Sequence, residues 1–218
     1  MVMKIFLLLC SVLLLAGCAT NIQNGLNAAI EGDKKHSLEK VDDTYLIASR
    51  ISDRGRLDLS GLELPAIPDI CSLLNQEDLS KIIAVDLSNN RIQSVQWLDC
   101  LPNLKDLNLS DNDIDNLVWF PLMANLQRLN LARNNLKDLT GIELLVGIVE
   151  LQLGDNFLEN LEWIQYLKDL QKLWVELNKL KDLDLLQYLD KLQAVNAQFN
   201  KLKDWAQNLL DKIPDLNF

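Results

Sequence analysis

Leu104-Lys-Asp-Leu107-Asn-Leu109-Ser-Asp-Asn112-Asp-Ile114 is the stretch that decides the fold, because its pattern is written six times at one spacing. Copies begin at Ile82, Leu104, Leu126, Ile148, Leu170 and Leu192, each 22 residues after the last. The residues around the paired apolar positions alternate, which is the mark of a short strand with one buried face. In the first copy this points Val85 and Leu87 inward and Ala84, Asp86 and Ser88 outward. A single unit of this kind cannot bury its own apolar face, whereas stacked neighbours share one continuous core.

Each copy carries an asparagine where the chain must leave the strand: Asn90, Asn112, Asn134, Asn156, Asn178 and Asn200. An amide side chain both donates and accepts, so a stacked column of asparagines can satisfy turn backbone groups that burial would otherwise strand. Apolar residues then follow at three-residue spacing, as in Leu158, Leu161, Ile164 and Leu167, which suits a tight 3₁₀-like return. The pattern resembles the 22-residue class of leucine-rich repeat, found in internalin-like bacterial surface proteins and in a eukaryotic phosphatase regulatory subunit. The resemblance covers about residues 54 to 218. It implies an α/β leucine-rich repeat solenoid with a concave parallel β-sheet, short 3₁₀ or helical returns on the convex side, and protein binding as the usual activity.

Composition narrows the possibilities further. A chain of 218 residues, 49% apolar, can bury the core of one domain. With 31 acidic against 21 basic residues and a formal charge of −10, a surface that tracks phosphates is excluded, and nucleic acid with it. Lys4 precedes an apolar run from Ile5 to Leu15 that is too short to remain as a membrane-spanning helix and reads as a targeting segment. It closes with Leu15-Ala16-Gly17-Cys18, which resembles the lipobox of bacterial lipoproteins. That resemblance implies acylation of Cys18 as the mature N-terminus; the alternative is an ordinary secretory signal in which Cys18 is incidental. Several acyl chains hold a protein stably on a membrane. The resemblance also places the chain in the bacterial cell envelope, facing an oxidising space, and Ala19 lacks the aspartate associated with inner-membrane retention. In a two-membrane bacterium this favours the outer membrane.

The chain divides into a signal peptide (1–17), a lipidated tether (18–36), an N-terminal cap helix with an irregular first repeat (37–81), six repeats (82–203) and a C-terminal cap (204–218). In the N-terminal cap Leu38, Val41, Tyr45 and Ala48 share one helical face behind Ser37 as N-cap, and His36 is a solvated loop residue. Such a helix would cover the apolar edge of the first coil. Leu57, Leu59, Leu62 and Leu64 form a degenerate repeat with no asparagine, followed by a long segment holding Pro65 and Pro68. Cys71 and Cys100 fall at nearly equivalent places on the outer side of adjacent coils, which predicts a disulfide, with two buried thiols as the alternative. At the far end Asp204 is placed to cap a helix through Trp205, Leu209, Leu210 and Ile213. Pro214 stops it, and Leu216 and Phe218 restart an edge strand.

Because neighbouring strands lie about 4.8 Å apart, equivalent outward positions form columns. The first, Ala84, Asp106, Arg128, Glu150, Lys172 and Ala194, alternates in sign at its centre. The second, Asn89, Asp111, Arg133, Asp155, Leu177 and Phe199, alternates and then turns apolar. In the third, Asp86, Asn108, Asn130, Gln152, Trp174 and Asn196, the tryptophan interrupts a polar run. Trp174, Leu177 and Phe199 are therefore the candidate anchor for a protein partner, with Glu176, Asn196 and Gln198 as a polar rim. Two alternatives are that the C-terminal tail covers them or that they pack on one another.

On the outer side Trp97, Trp119 and Trp163 share a repeat position with Gly141 and Leu185. They read as core residues at the joints between returns, with membrane-interface contact as the alternative. Asp111, Asp113 and Asp115 imitate a calcium loop, but Asn116 stands where glycine is needed and Leu122 where the bidentate glutamate belongs. No Ser/His/acid set, Cys/His cluster or glycine-rich phosphate loop occurs, so no catalytic residue, metal, cofactor or small-molecule substrate is expected. The sequence thus reads as a membrane-anchored, non-enzymatic protein-binding scaffold. A structural or assembly subunit of an envelope complex is the first alternative and an enzyme without a recognisable site the second.

Overall fold

The computed structural model describes residues 43–94, 98–118, 120–202, 209 and 212–217. The alternating apolar positions become eight short strands: β1 (Arg56–Asp58), β2 (Ala84–Asp86), β3 (Asp106–Asn108), β4 (Arg128–Asn130), β5 (Glu150–Gln152), β6 (Lys172–Trp174), β7 (Ala194–Asn196) and β8 (Asp215–Asn217). They form one parallel sheet in sequence order. Registers follow the repeat, so that Asp106, Arg128, Glu150 and Lys172 stand side by side. The architecture is a leucine-rich repeat solenoid. Leu107, Leu129, Leu151 and Leu173 point inward from strand centres, and Leu109, Leu131, Leu153 and Val175 follow them into the same core. Burying each such side chain stabilises the fold by roughly 1.5–3 kcal/mol.

Returns on the other side take the tight form that the three-residue spacing predicts: 3₁₀ turns span Ile142–Leu144, Glu162–Tyr166 and Asp184–Tyr188. Trp163 is buried in the second of these, and Leu185 packs against the core in the third. Gly141 opens the first with φ of 105°, and a Cβ there would lie 2.5 Å from the Leu117 carbonyl oxygen, so neither tryptophan nor leucine fits that copy. Trp97 and Trp119 lie outside the described residues. The longer first return instead folds into α-helices, α2 (Ile70–Leu73) after α1 (Asp43–Ser49), and α3 (Gln76–Lys81). Asp69 and Asn75 cap α2 and α3 by accepting from the Ser72 and Asp78 N–H groups. Cys71, on α2, is disulfide-bonded to Cys100 in the next return, with 5.6 Å between their Cα atoms.

The cap at the N-terminal end differs from the expected face. Tyr45 is 69% exposed, whereas Ile47 is buried and Ala48 packs against the core. Two residues on a helix are separated by roughly 200°, so burying Ile47 turns Tyr45 to solvent. Cover for the first strand also comes from the chain after the helix: Ile51 bridges Leu57 antiparallel, and the Ser52 N–H donates to the Arg56 carbonyl at 2.8 Å. His36, Ser37, Leu38 and Val41 lie outside the described residues. At the other end Leu209 and Ile213 are buried, with the Ile213 N–H donating to the Leu209 carbonyl at 2.8 Å, and β8 extends the sheet beside β7. Asp204, Trp205, Leu210 and Phe218 lie outside the described residues.

The asparagines join one coil to the next through backbone. Asn134 accepts from the Ile114 N–H at 3.0 Å and donates to the carbonyls of Leu109 at 2.9 Å and Leu131 at 3.1 Å. Asn112, Asn156, Asn178 and Asn200 repeat this arrangement on their own neighbours. Asn90 serves the irregular first coil by accepting from both Leu62 and Leu64 N–H groups. Asn112, Asn134, Asn156 and Asn178 are buried. Each therefore satisfies three backbone groups that no water can reach. Asn134→Ala is expected to cost about 1–3 kcal/mol, read as a lowered denaturation midpoint; an unchanged midpoint would show the ladder to be dispensable.

Candidate interaction face

The sheet's exposed face is closed by charge pairing in its first half. Arg128 donates to Asp106 at 2.8 Å and Lys172 to Glu150 at 2.6 Å, so the alternating column resolves into two discrete pairs. Arg56 begins this column one coil earlier than the first regular repeat and reaches across to Asp86. Asp86 is buried rather than outward, since it also accepts from the Ser88 N–H and from the Asn108 amide at 3.1 Å. Arg133 pairs with Asp111, and the hydrogen bond it donates holds that carboxyl below its usual range. Of these groups Arg56, Asp86, Asp106, Arg128 and Glu150 line a shallow trough of about 260 Å³. Exposed pairs of this sort each contribute about 0–1 kcal/mol, and the trough offers a visitor few unclaimed charges.

Residues of the third column do a local job. Asp58, Asp86, Asn108, Asn130 and Asn196 each accept from the N–H two residues ahead, for example Ala132 to Asn130 at 3.0 Å, which closes the turn out of the strand. Trp174 holds the same register position between Gln152 and Asn196. Indole has no oxygen to accept that bond. A turn-closing position has therefore been given over to a large half-buried aromatic. Asn196 and Gln198, expected as rim residues, are joined to each other by this turn, the Gln198 N–H donating at 3.3 Å.

The second column is not on the sheet at all. Glu63, Asn89, Asp111, Arg133, Asp155, Leu177 and Phe199 have φ between 54° and 59°, the left-handed conformation, and form the corner where each coil leaves its strand. Asparagine and aspartate tolerate that conformation. For bulky L-residues it costs roughly 1–2 kcal/mol. Leu177 and Phe199 carry that cost while 50% and 76% exposed, so burial does not repay it. Among the described residues the C-terminal segment does not cover them, because β8 runs alongside β7 at the sheet edge.

Glu176 is more than a rim residue. Its carboxylate folds over Gly154, where an added Cβ would lie 2.4 Å from Oε1, and its buried Oε2 has no hydrogen-bond partner. An orphaned acceptor of this kind leaves a cost that a donor brought by a ligand would remove.

Two further features are legible only from positions beyond the strands. Lys179 sits 4.8 Å above the exposed Phe157 ring, and Lys181 donates to Glu159 at 3.0 Å. On the return side Leu122, Leu144, Tyr166 and Tyr188 are all exposed and recur at the 22-residue repeat spacing as an apolar stripe.

The comparisons with known proteins agree with this architecture. Residues 81–119 match the family model for leucine-rich repeats in two copies. An internalin (inlF) from Listeria monocytogenes is 23% identical with a TM-score of 0.67, over 90% of this chain and 54% of that one. The functional domain of InlJ from the same organism, which includes a cysteine ladder, is 19% identical with a TM-score of 0.54, over 75% and 33%. The APL1 leucine-rich repeat domain is 17% identical with a TM-score of 0.59, over 79% and 50%. The chain thus spans about half the internalin or less of these neighbours. No curated protein matches it in sequence. What the likeness carries is the solenoid fold.

If the left-handed corner is strained by its aromatic, Phe199→Asn is expected to leave the denaturation midpoint unchanged or raise it, by up to about 1 kcal/mol. A midpoint lowered by a similar amount would mean that Phe199 contributes packing instead.

Proposed function

We propose that this chain is a lipid-anchored, non-catalytic protein-binding scaffold of the bacterial envelope, which takes up its partner at Trp174, Leu177 and Phe199. The observation that carries this reading is the exposure of Leu177 and Phe199 in a conformation that favours small polar residues. Sites that hold strain without internal compensation are where ligands are met. Large exposed apolar groups near the edge of a polar sheet supply the anchors that dominate protein interfaces. Glu176 adds an unmet acceptor beside them, with Asn196 and Gln198 at the margin. An assembly role is the second reading, and the exposed stripe of Leu122, Leu144, Tyr166 and Tyr188 is what favours it. Anchoring rests on the lipobox-like Leu15-Ala16-Gly17-Cys18, and Ala19 favours the outer membrane where there are two.

A photo-crosslinking residue placed at Phe199 in intact cells is expected to give a discrete protein adduct that Trp174→Ala abolishes without lowering the denaturation midpoint. The same probe at exposed Arg54, at the opposite end of the sheet, should not give it. Adducts that persist in Trp174→Ala would remove the site. Cys18→Ser is expected to move the chain from the membrane fraction to the soluble fraction and to stop incorporation of labelled fatty acid; unchanged fractionation would sink the anchor.

A further inference from the structure

Outside the buried core a second apolar line runs along the return side. Leu122, Leu144, Tyr166 and Tyr188 hold one repeat position and are between 44% and 69% exposed, whereas Phe120, Ile142, Ile164 and Leu186, two residues before them, are buried. Exposed Val118 and Val146 widen the line at one end. The returns that carry Leu144, Tyr166 and Tyr188 pack side by side, so the line continues from coil to coil. It stops at Cys100, which holds the same position one coil earlier and is bonded to Cys71. At the other end Leu210 lies outside the described residues. The exposed area of these six side chains is on the order of 500 Å², near the upper end of what a monomer leaves to water. Two such surfaces laid together remove on the order of 1,000 Å² from water, the size at which a specific interface begins.

We infer that this line is covered by a second copy of the chain, docked about a two-fold axis with the coils of the two copies running in opposite directions. This deepens the assembly reading and uses no residue of the corner at Trp174, Leu177 and Phe199. The line is narrow at Leu122 and Leu144 and broad at Tyr166 and Tyr188. Only the reversed alignment sets each leucine of one copy against a tyrosine of the other, Leu122 on Tyr188 and Leu144 on Tyr166. The same alignment spares the charges at the flanking repeat positions. Glu162 meets Thr140, Asp184 meets Val118, Glu143 meets Gln165, Lys168 meets Val146 and Asp190 meets Ala124, so no like charges stand opposite. Docking of one surface on its own copy requires this self-complementarity. Within each copy Lys191 already pairs with Asp169 and Lys212 with Asp190. A bilayer is disfavoured as the occupant, because it would also take exposed Glu143, Glu162 and Asp184 out of water, whereas a second copy leaves them at a solvated rim.

Two differently tagged forms of the full chain, co-expressed in cells, test this. With Leu122→Cys in one form and Tyr188→Cys in the other, a short bismaleimide is expected to give a mixed dimer. Two forms that both carry Leu122→Cys, or both Tyr188→Cys, are expected to give none. Co-isolation of the tagged forms from detergent extracts should fall at least about tenfold when both carry Leu144→Ser/Tyr166→Ser. The denaturation midpoint should not change, because both side chains are exposed. Tyr166→Lys, which keeps a long stem and adds a charge to each copy, should weaken co-isolation as well. Co-isolation should rise with salt, since each copy carries a formal charge of −10 that repels the other until it is screened. It should persist in Trp174→Ala, so that loss of the corner and loss of the dimer are read separately. Links between like positions overturn the reversed alignment. Absence of co-isolation, or co-isolation that neither substitution lowers, overturns the dimer. A photo-crosslinking residue at Tyr166 that captures a chain of different mass identifies another protein as the occupant, and one that captures lipid identifies the membrane; either result overturns the inference.

Discussion

Each coil of this solenoid depends on an amide that belongs to the next one. The Asn112, Asn134, Asn156 and Asn178 side chains turn a single hydrogen-bonding group into a joint between two turns and a strand, at depths where an unmet backbone group costs about 1–3 kcal/mol. Aspartate could accept there but not donate, and serine could not span both coils, so the position is narrow in chemistry as well as in place. With the joint fixed, the left-handed residue before it continues the sheet's hydrogen bonding past the strand end, as the Leu177 N–H does to the Gln198 carbonyl at 2.9 Å. The strands themselves are three residues long and contribute little that would fix such a corner without it.

This dependence explains why the scaffold was legible from sequence and the site only in outline. Leucine alternation and the asparagine column are properties of every coil, so six copies state them six times over. Strand register, sheet order and the inward set follow directly. The left-handed corner is equally regular in the structure but has no residue type of its own, because asparagine, aspartate, arginine, leucine and phenylalanine all occupy it. By column alone Leu177 and Phe199 belong to the face of the sheet, whereas they stand at its turn. Similarly, the role of Glu176 depends on what faces it: only the missing side chain at Gly154 lets its carboxylate fold inward. The buried face of the terminal cap is hidden from the sequence for a related reason. A short helix at the end of a solenoid is oriented by the one strand it covers, and Ile51 pairing with Leu57 sets that orientation through backbone contacts that leave no periodic trace.

The contrast between the two ends of the exposed face bears most directly on function. In the first half, Arg56, Asp86, Asp106, Arg128, Glu150 and Lys172 find partners within the protein, and the third-column asparagines close their own turns. In the last coils the third column holds Trp174, which cannot close a turn, and the corner holds Leu177 and Phe199, which strain one. A repeat scaffold supplies its own control for such a comparison, since each position has several equivalents with identical backbone surroundings. A polar or charged residue at the corner and a side chain in the third column that accepts from the turn are what most of the earlier coils use. Where the last coils depart from those choices, they give up local stability at the three positions that gather apolar surface. Departure from local consistency without internal compensation is the physical signature of a site shaped by something outside the chain.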